Sequence, residues 1–226
     1  MKIIAISDLH GHLPKLPRCD LLIVAGDICG QPYYPEHVYI AYQILWYERV
    51  FLPWLATIDA VQKVVIGGNH DIIFNFPELI ERGEHLLLND KVDYAGWNHA
   101  PISSKIKLYG TPWTAAPQFP WPYEWVFNAD EARQAVEFVK IPDDVEILIT
   151  HGPPYGTLDA PSPGSHCGSR ALADRVAQLK KLKLHVFGHF HGCFGVERVG
   201  DHIAANVSYL DAAELPRLDG WLEIDL

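Results

Sequence analysis

Five short apolar runs, at residues 2–7, 20–25, 63–66, 146–150 and 184–187, are rich in Ile, Val or Leu, and each stops at a residue able to hold a metal ion or at glycine just before one. Their apolarity is continuous, which fits strands buried on both faces as in α/β sheets, and not strands with one wet face. In open sheets of that kind ligands gather just beyond the carboxyl ends of the strands. Asp8-Leu9-His10, Gly26-Asp27, Gly67-Gly68-Asn69-His70-Asp71, His151-Gly152 and Gly188-His189-Phe190-His191 are therefore predicted to converge although they span most of the chain. Imidazole, carboxylate and amide oxygen together suit Mn, Fe, Zn or Ni without any thiolate. A carboxylate that bridges would add a second ion, since ions ~3.5–4 Å apart share ligands in hydrolytic sites.

Between the runs lie helical patterns. Residues 169–181 place Leu172, Val176 and Leu179 on one face behind a Ser169 N-cap, with Lys180, Lys181 and Lys183 near the C-terminal end. Asn128 with Glu131 three residues on has the form of a capping box for a helix running through Lys140, and residues 36–52 form a broader apolar helix. Residues 193–199, 202–207 and 221–224 read as antiparallel strands, so the expected fold is α/β with a mixed sheet or two packed sheets. Residues 111–123, with four prolines and two tryptophans, and 152–168 read as loops over a site.

No fixed-period repeat or linker divides the 226 residues, which are expected to form one domain over 1–226 at ~150 residues per domain. With 18 basic against 28 acidic residues the net charge is −10, a poor match to a long nucleic acid, whose binding proteins usually carry a basic face. Cys19, Cys29, Cys167 and Cys193 are widely spaced with no C-x-x-C pair, which fits a reducing compartment. The opening apolar run is too short for a signal-peptide core or a membrane span, so a cytoplasmic protein without a membrane partner is expected.

Asp8-x-His10, Gly26-Asp27, Gly68-Asn69-His70-Asp71, His151 and Gly188-His189-x-His191, all present in that order, resemble the calcineurin-like metallophosphoesterases. That resemblance implies an α/β/β/α sandwich with mixed sheets and a binuclear metal centre. Residues 106–113 (IKLYGTPW), 147–154 (ILITHGPP) and 183–188 (KLHVFG) are similar to the branch of small metallophosphoesterase-domain phosphodiesterases that includes brain-expressed animal members. The resemblance implies that Asp8, His10, Asp27 and His191 hold one divalent ion and Asp27, Asn69, His151 and His189 the other, Asp27 bridging. Mn²⁺ is the first expectation, with Fe, Zn, Ni or Co able to fill the same donors. It further implies attack by a metal-bound hydroxide on a small phosphodiester, cyclic nucleotides among them, with Asp27, Asn69 and His70 as the catalytic group. Asp71 stands where the family more usually has Glu, and a bracing role is expected for it.

His70, with an ordinary pKa near ~6.5, is expected to carry enough proton to stabilise charge on the phosphate or protonate the leaving oxygen. Two further residues are expected to contact substrate: His12, close after His10, and Trp113, whose ring could stack on a nucleobase. His166, beside Cys167, lies near enough in sequence to the predicted helix start to approach a phosphate, whereas Cys167 itself reads as a small buried hydrophobe. Two rival readings stand beside the diesterase. One is a phosphomonoesterase of the same superfamily, against which Ile28-Cys29-Gly30 follows Asp27 where serine/threonine phosphatases carry a phosphate-clamping arginine. The other is a non-catalytic nucleotide-binding or scaffold protein on the same fold.

Overall fold

A computed structural model of the chain describes residues 1–30, 36–75, 92–94, 106–116 and 126–226. The first apolar runs become β1 (Lys2–Ile6), β2 (Cys19–Ala25) and β3 (Ala60–Ile66), joined by β4 (Val92–Tyr94). The later ones become β8 (Ile147–Thr150) and β9 (Leu184–Phe187), joined by β5 (Leu108–Thr111). Short β6 (Thr114–Ala115) and β7 (Asn128–Ala129) form a parallel pair of their own. The tail supplies β10 (Gly195–Val199), β11 (His202–Asn206) and β12 (Leu222–Asp225).

Two five-stranded sheets result, ordered β12-β1-β2-β3-β4 and β10-β11-β9-β8-β5. β12 pairs antiparallel with β1 and β10 antiparallel with β11, and every other pairing in the two sheets is parallel. Period-two alternation then sends each strand's side chains into two different cores. Ile3, Ala5, Leu21 and Ile23 meet Ile147, Ile149, Leu184 and Val186 between the sheets. On the opposite face of the first sheet, Ile4, Leu22 and Val24 pack against Tyr47, Phe51 and Leu52. Leu148 meets Phe138, Leu172 and Val176 outside the second. Both faces of both sheets are covered, which is why apolar side chains follow one another along the runs and do not alternate with polar ones. The architecture is the α/β/β/α sandwich with mixed sheets that the motif resemblance implied.

The outer layers are α1 (Glu36–Trp46), a π turn at Tyr47–Phe51 and α2 (Leu52–Thr57) on one side, with α3 (Glu131–Phe138) and α4 (Arg170–Val176) on the other. The single helix expected over 36–52 widens to a π turn because Pro53 has no N–H to give and its ring would strike the carbonyl four residues back. α4 starts as expected on Ser169, whose hydroxyl accepts from Leu172 N at 3.1 Å. The expected capping box does not form. Asp130 caps α3 by accepting from Arg133 N at 2.8 Å, while Asn128 lies in β7. Glu131 instead reaches across to α4 and accepts from Arg170 N and Ala171 N at 2.9 and 2.8 Å. The strand expected at 193–199 begins two residues later, after a 3-10 turn at His191–Cys193.

The chain leaving β11 ties the two sheets together at their carboxyl ends. Ser7 N donates to Val207 O at 2.9 Å and Val207 N donates to Phe187 O at 2.8 Å, so the ends of β1 and β9 are held side by side. Among the described residues no helix is long and apolar enough to cross a membrane.

Candidate metal centre

Asp8 and His10 follow β1, Asp27 follows β2, Asn69 and His70 follow β3, His151 follows β8, and His189 and His191 follow β9, so all eight sit past the carboxyl ends of parallel strands. The turns that carry them are strained. Asp8 (φ 52°), His10 (φ 42°), Asp27 (φ 52°) and His189 (φ 69°) occupy the left-handed region, half of the eight non-glycine residues that do so among those described. Such conformations cost on the order of 1–3 kcal/mol each and persist only where surrounding structure enforces them. Two glycines show that enforcement. A Cβ on Gly68 would stand 2.3 Å from Asp27 Oδ1, and one on Gly188 would stand 2.0 Å from Ser7 Oγ and 2.2 Å from Asp8 Oδ2.

The side chains gather in two groups, Asp8 with His10 and His191, and Asp27 with His151 and His189, the ligand atoms within each group lying within 4.8 Å of one another. Asp27 Oδ2 reaches towards both: His151 Nε2 is at 3.2 Å, His10 Nε2 at 3.7 Å and His70 Nε2 at 4.0 Å. His191 Nε2 lies 3.4 Å from Asp8 Oδ1. The rings of His10 and His191 stand edge to face at 5.3 Å, and those of His151 and His189 at 5.2 Å.

The donor set fits a cation. His151 Nδ1 lies 3.0 Å from Ala25 O, which can only accept, so that nitrogen carries the proton and the lone pair of the neutral ring is on Nε2. Nε2 faces Asn69 Oδ1 at 3.0 Å and Asp27 Oδ2 at 3.2 Å, so three electron-pair donors point at one place. Asn69 Nδ2 is buried without a hydrogen-bond partner among the described residues, a cost accepted to aim the amide oxygen inwards. With no other cation the cheapest occupant is a proton. Burial pulls the His151 imidazole down, but the Asp27 and Asp8 carboxylates push it up to about 9. Burial likewise opposes ionisation of Asp27 and Asp8, yet the surrounding imidazoles, His151 foremost for Asp27 and His191 for Asp8, hold both below the usual carboxylate range. A metal ion entering here must expel that proton from His151.

His70 departs from expectation. Burial, reinforced by the neighbouring His10 and His151, outweighs the attraction of Asp27 and takes it down to about 4, so at neutral pH it is an uncharged N–H donor in this state of the protein. An anionic phosphate beside it would push the value up again.

Several further side chains brace the turns that carry these residues. Asp71, for which a brace was expected, accepts from Ile28 N at 3.0 Å, Cys29 N at 2.9 Å and Gly68 N at 2.9 Å, locking the β2 turn to the β3 turn. Burial and then the Asp27 charge raise its carboxyl to about 7. Buried Gln43 donates to His70 O at 2.6 Å and accepts from Ile73 N at 3.1 Å. Ser7 donates to Asp8, and Asn206 Nδ2 reaches Phe190 O at 3.1 Å. Beyond Asp71, a polar side chain on the apolar helix was the one signal that marked Gln43; Ser7 and Asn206 sit at unremarkable positions.

Neither of the two expected substrate contacts is a member of these groups. His12 is exposed, its ring 6.3 Å from that of Tyr209. Trp113 packs against the core under α3, with Phe127 edge-on at 5.8 Å and the Arg133 guanidinium 5.3 Å over its ring. Residues 117–123 of the proline-tryptophan loop lie outside the described residues. His166 hydrogen-bonds Asp159 at 2.6 Å, and Cys167, expected to be buried, is exposed because its loop runs over the surface ahead of α4.

Comparison with known proteins gives a consistent picture. A family model described as calcineurin-like phosphoesterase matches residues 1–193. Human metallophosphoesterase domain-containing protein 1 is 30% identical over 232 residues, covering 92% of this chain and 65% of its own length. The Caenorhabditis elegans UPF0046 protein T07D4.2 is 30% identical over 225 residues, 86% of this chain and 52% of its own. The chain thus spans between half and two thirds of these relatives. Among solved structures, one crystal structure superposes with a TM-score of 0.68 at 19% identity, covering 92% of this chain and 90% of that one. TT1561 of Thermus thermophilus superposes with a TM-score of 0.55 at 14% identity, over 92% and 88% of the two chains.

Proposed function

The chain belongs to the calcineurin-like phosphoesterase family, and from that premise we propose that it is a metal-dependent phosphodiesterase for small diesters, cyclic nucleotides among them, with residues 1–226 acting as one catalytic unit. The observation that carries this reading is the convergence of Asn69 Oδ1, His151 Nε2 and Asp27 Oδ2 on one point, with the Asp8–His10–His191 group across Asp27. Asp8, His10, Asp27 and His191 would hold one divalent ion, Mn²⁺ first, and Asp27, Asn69, His151 and His189 the other. Two such ions supply a deprotonated water at neutral pH and neutralise charge on the phosphoryl oxygens.

The protein's own groups do the remainder. Asp27 is held ionised by its histidines, so it can serve both halves of the site. His70, 4.0 Å from Asp27 and anchored through its main chain by Gln43, presents an N–H to the scissile phosphate. A diester's alkoxide is a poor leaving group, so a positioned proton donor counts for more there than for a monoester. No arginine follows Asp27, and Ile28 and Cys29 are fully buried, which removes the side chain that would clamp a terminal phosphate.

The test compares a chromogenic phosphodiester with the monoester of the same leaving group, using chelator-stripped protein with and without Mn²⁺. Metal-dependent turnover favouring the diester supports the proposal. Preference for the monoester replaces it with a phosphatase, and nucleotide binding without turnover under any metal replaces it with a binding protein.

A further inference from the structure

The family match ends at residue 193, yet the metal-ligand turn it ends in is gripped by the chain beyond β11. Past that strand the backbone runs under both sheet ends. Asn206 Nδ2 reaches Phe190 O at 3.1 Å, and Tyr209 N donates to Ser7 O at 2.8 Å. It then folds into a tight hairpin: Asp211 Oδ1 accepts from Ala213 N at 2.8 Å and Leu215 N at 3.0 Å, Leu210 bridges Pro216, and Arg217 N returns to Tyr209 O at 3.0 Å. The hairpin delivers the Arg217 side chain to the ligand turn. Its Nη2 donates to the main-chain oxygen of His191 at 2.7 Å, and its guanidinium lies 4.9 Å over the Phe194 ring.

Arg217 Nε is buried with no hydrogen-bond partner among the described residues. An unsatisfied buried donor is a cost that native structures rarely carry without return. Here the return is a charge-assisted bond to the backbone of one proposed ligand, His191, from the same hairpin that holds the residue before another, Asp8. Both belong to the same proposed metal position; none of the hairpin's contacts cited here touches Asn69, His151 or Asp27.

We propose that Arg217 is a positioning residue for one of the two metal positions, that of Asp8, His10 and His191, and that the 207–217 hairpin acts as a clasp setting the affinity of that position alone. The inference rests on the two-ion reading above.

The test is calorimetric titration of the chelator-stripped full chain with Mn²⁺, for wild type, Arg217→Ala, Arg217→Lys and His191→Ala. His191→Ala identifies which of two binding steps belongs to the clasped position. Arg217→Ala should weaken that step by about 10–100-fold, the usual effect of removing a group that orients a ligand, and leave the other step unchanged. Arg217→Lys, which keeps one donor for the carbonyl, should recover part of the loss. Melting of the metal-free proteins shows whether Arg217→Ala still folds; if it does not, Arg217→Lys alone must show the selective weakening. Unchanged affinities in Arg217→Ala, or equal loss at both steps, overturns the clasp. A wild type that binds fewer than two Mn²⁺ overturns the two-ion reading first and the clasp with it.

Discussion

Gly188→Ala puts a single methyl group into the most crowded point of the site. Its Cβ would lie 2.0 Å from Ser7 Oγ, 2.2 Å from Asp8 Oδ2 and 2.8 Å from Ser7 Cβ, all on fully buried residues at the end of β1. These atoms cannot simply swing aside, because Ser7 is fixed through its N–H to Val207 and its carbonyl to Tyr209. Overpacking a core of this kind costs about 1–3 kcal/mol. Displacing the Ser7 hydroxyl from the Asp8 carboxylate adds about 1.5–3 kcal/mol, the range for a hydrogen bond to a charged group. At about 2–4 °C per kcal/mol for a chain of this size, the melting temperature should fall by roughly 10 °C, and metal-dependent hydrolysis should fall with it because Asp8 has moved. Ser7→Ala removes the nearest obstruction but leaves Asp8, so in a double-mutant cycle Gly188→Ala and Ser7→Ala should cost less together than the sum of each, by about 1 kcal/mol. A Gly188→Ala protein that melts and turns over like wild type, or strict additivity in the cycle, would falsify the packing argument.

Asp27→Asn should lose both Mn²⁺ ions and all hydrolysis, read by metal analysis and by the diester assay, since the residue serves both ligand groups; a variant that keeps both ions argues against bridging. Glu131→Ala takes the acceptor from two N–H groups at the start of α4 and should cost about 1 kcal/mol, the worth of a helix cap, seen as a melting temperature lower by about 2–4 °C with catalysis intact. Buried His185 is held at about 3 by burial, whereas in the unfolded chain it returns to about 6.5. Between those values the unfolded state binds a proton that the folded state refuses, so this group's contribution is present above pH about 6.5 and is lost on acidification towards 3, at up to about 1.4 kcal/mol per pH unit. Melting curves of wild type and His185→Gln across that window should differ in slope, and parallel curves would refute the assignment.

What the sequence disclosed and what it withheld divide along a physical line. The two-sheet core was readable because a strand covered on both faces must be apolar along nearly its whole length, as 21–25 and 147–149 are, and the candidate site was readable because each such run ends at Asp or His, or at glycine within two residues of Asp, Asn or His. Those signals are local. The holders of the site are not: Asn206 reaches Phe190, 16 residues back, and Arg217 reaches His191, 26 residues back, and side-chain contacts of that kind leave no period or spacing to read. Glu131 shows the same limit, its spacing from Asn128 suggesting a cap on its own helix when its carboxylate in fact serves α4, 39 residues on.

The glycines carry the point furthest. Gly68 and Gly188 read equally well as plain turn residues, but the space a side chain would need at each is already taken by Asp27 or by Ser7 and Asp8. Glycine there is a clearance for a neighbour's carboxylate as much as a hinge. The left-handed backbones of Asp8, His10, Asp27 and His189 show the complementary half of the design, since each is a conformation the residue would abandon if released. A site built this way stores strain in its ligand turns and depends on Asp71, Gln43, Asn206 and Arg217 to contain it. The five motif blocks are therefore insufficient by themselves: transplanted to strand ends with Asp71 but without Gln43, Asn206 and Arg217, the same proposed ligands would relax out of the positive-φ geometry that points them at one another.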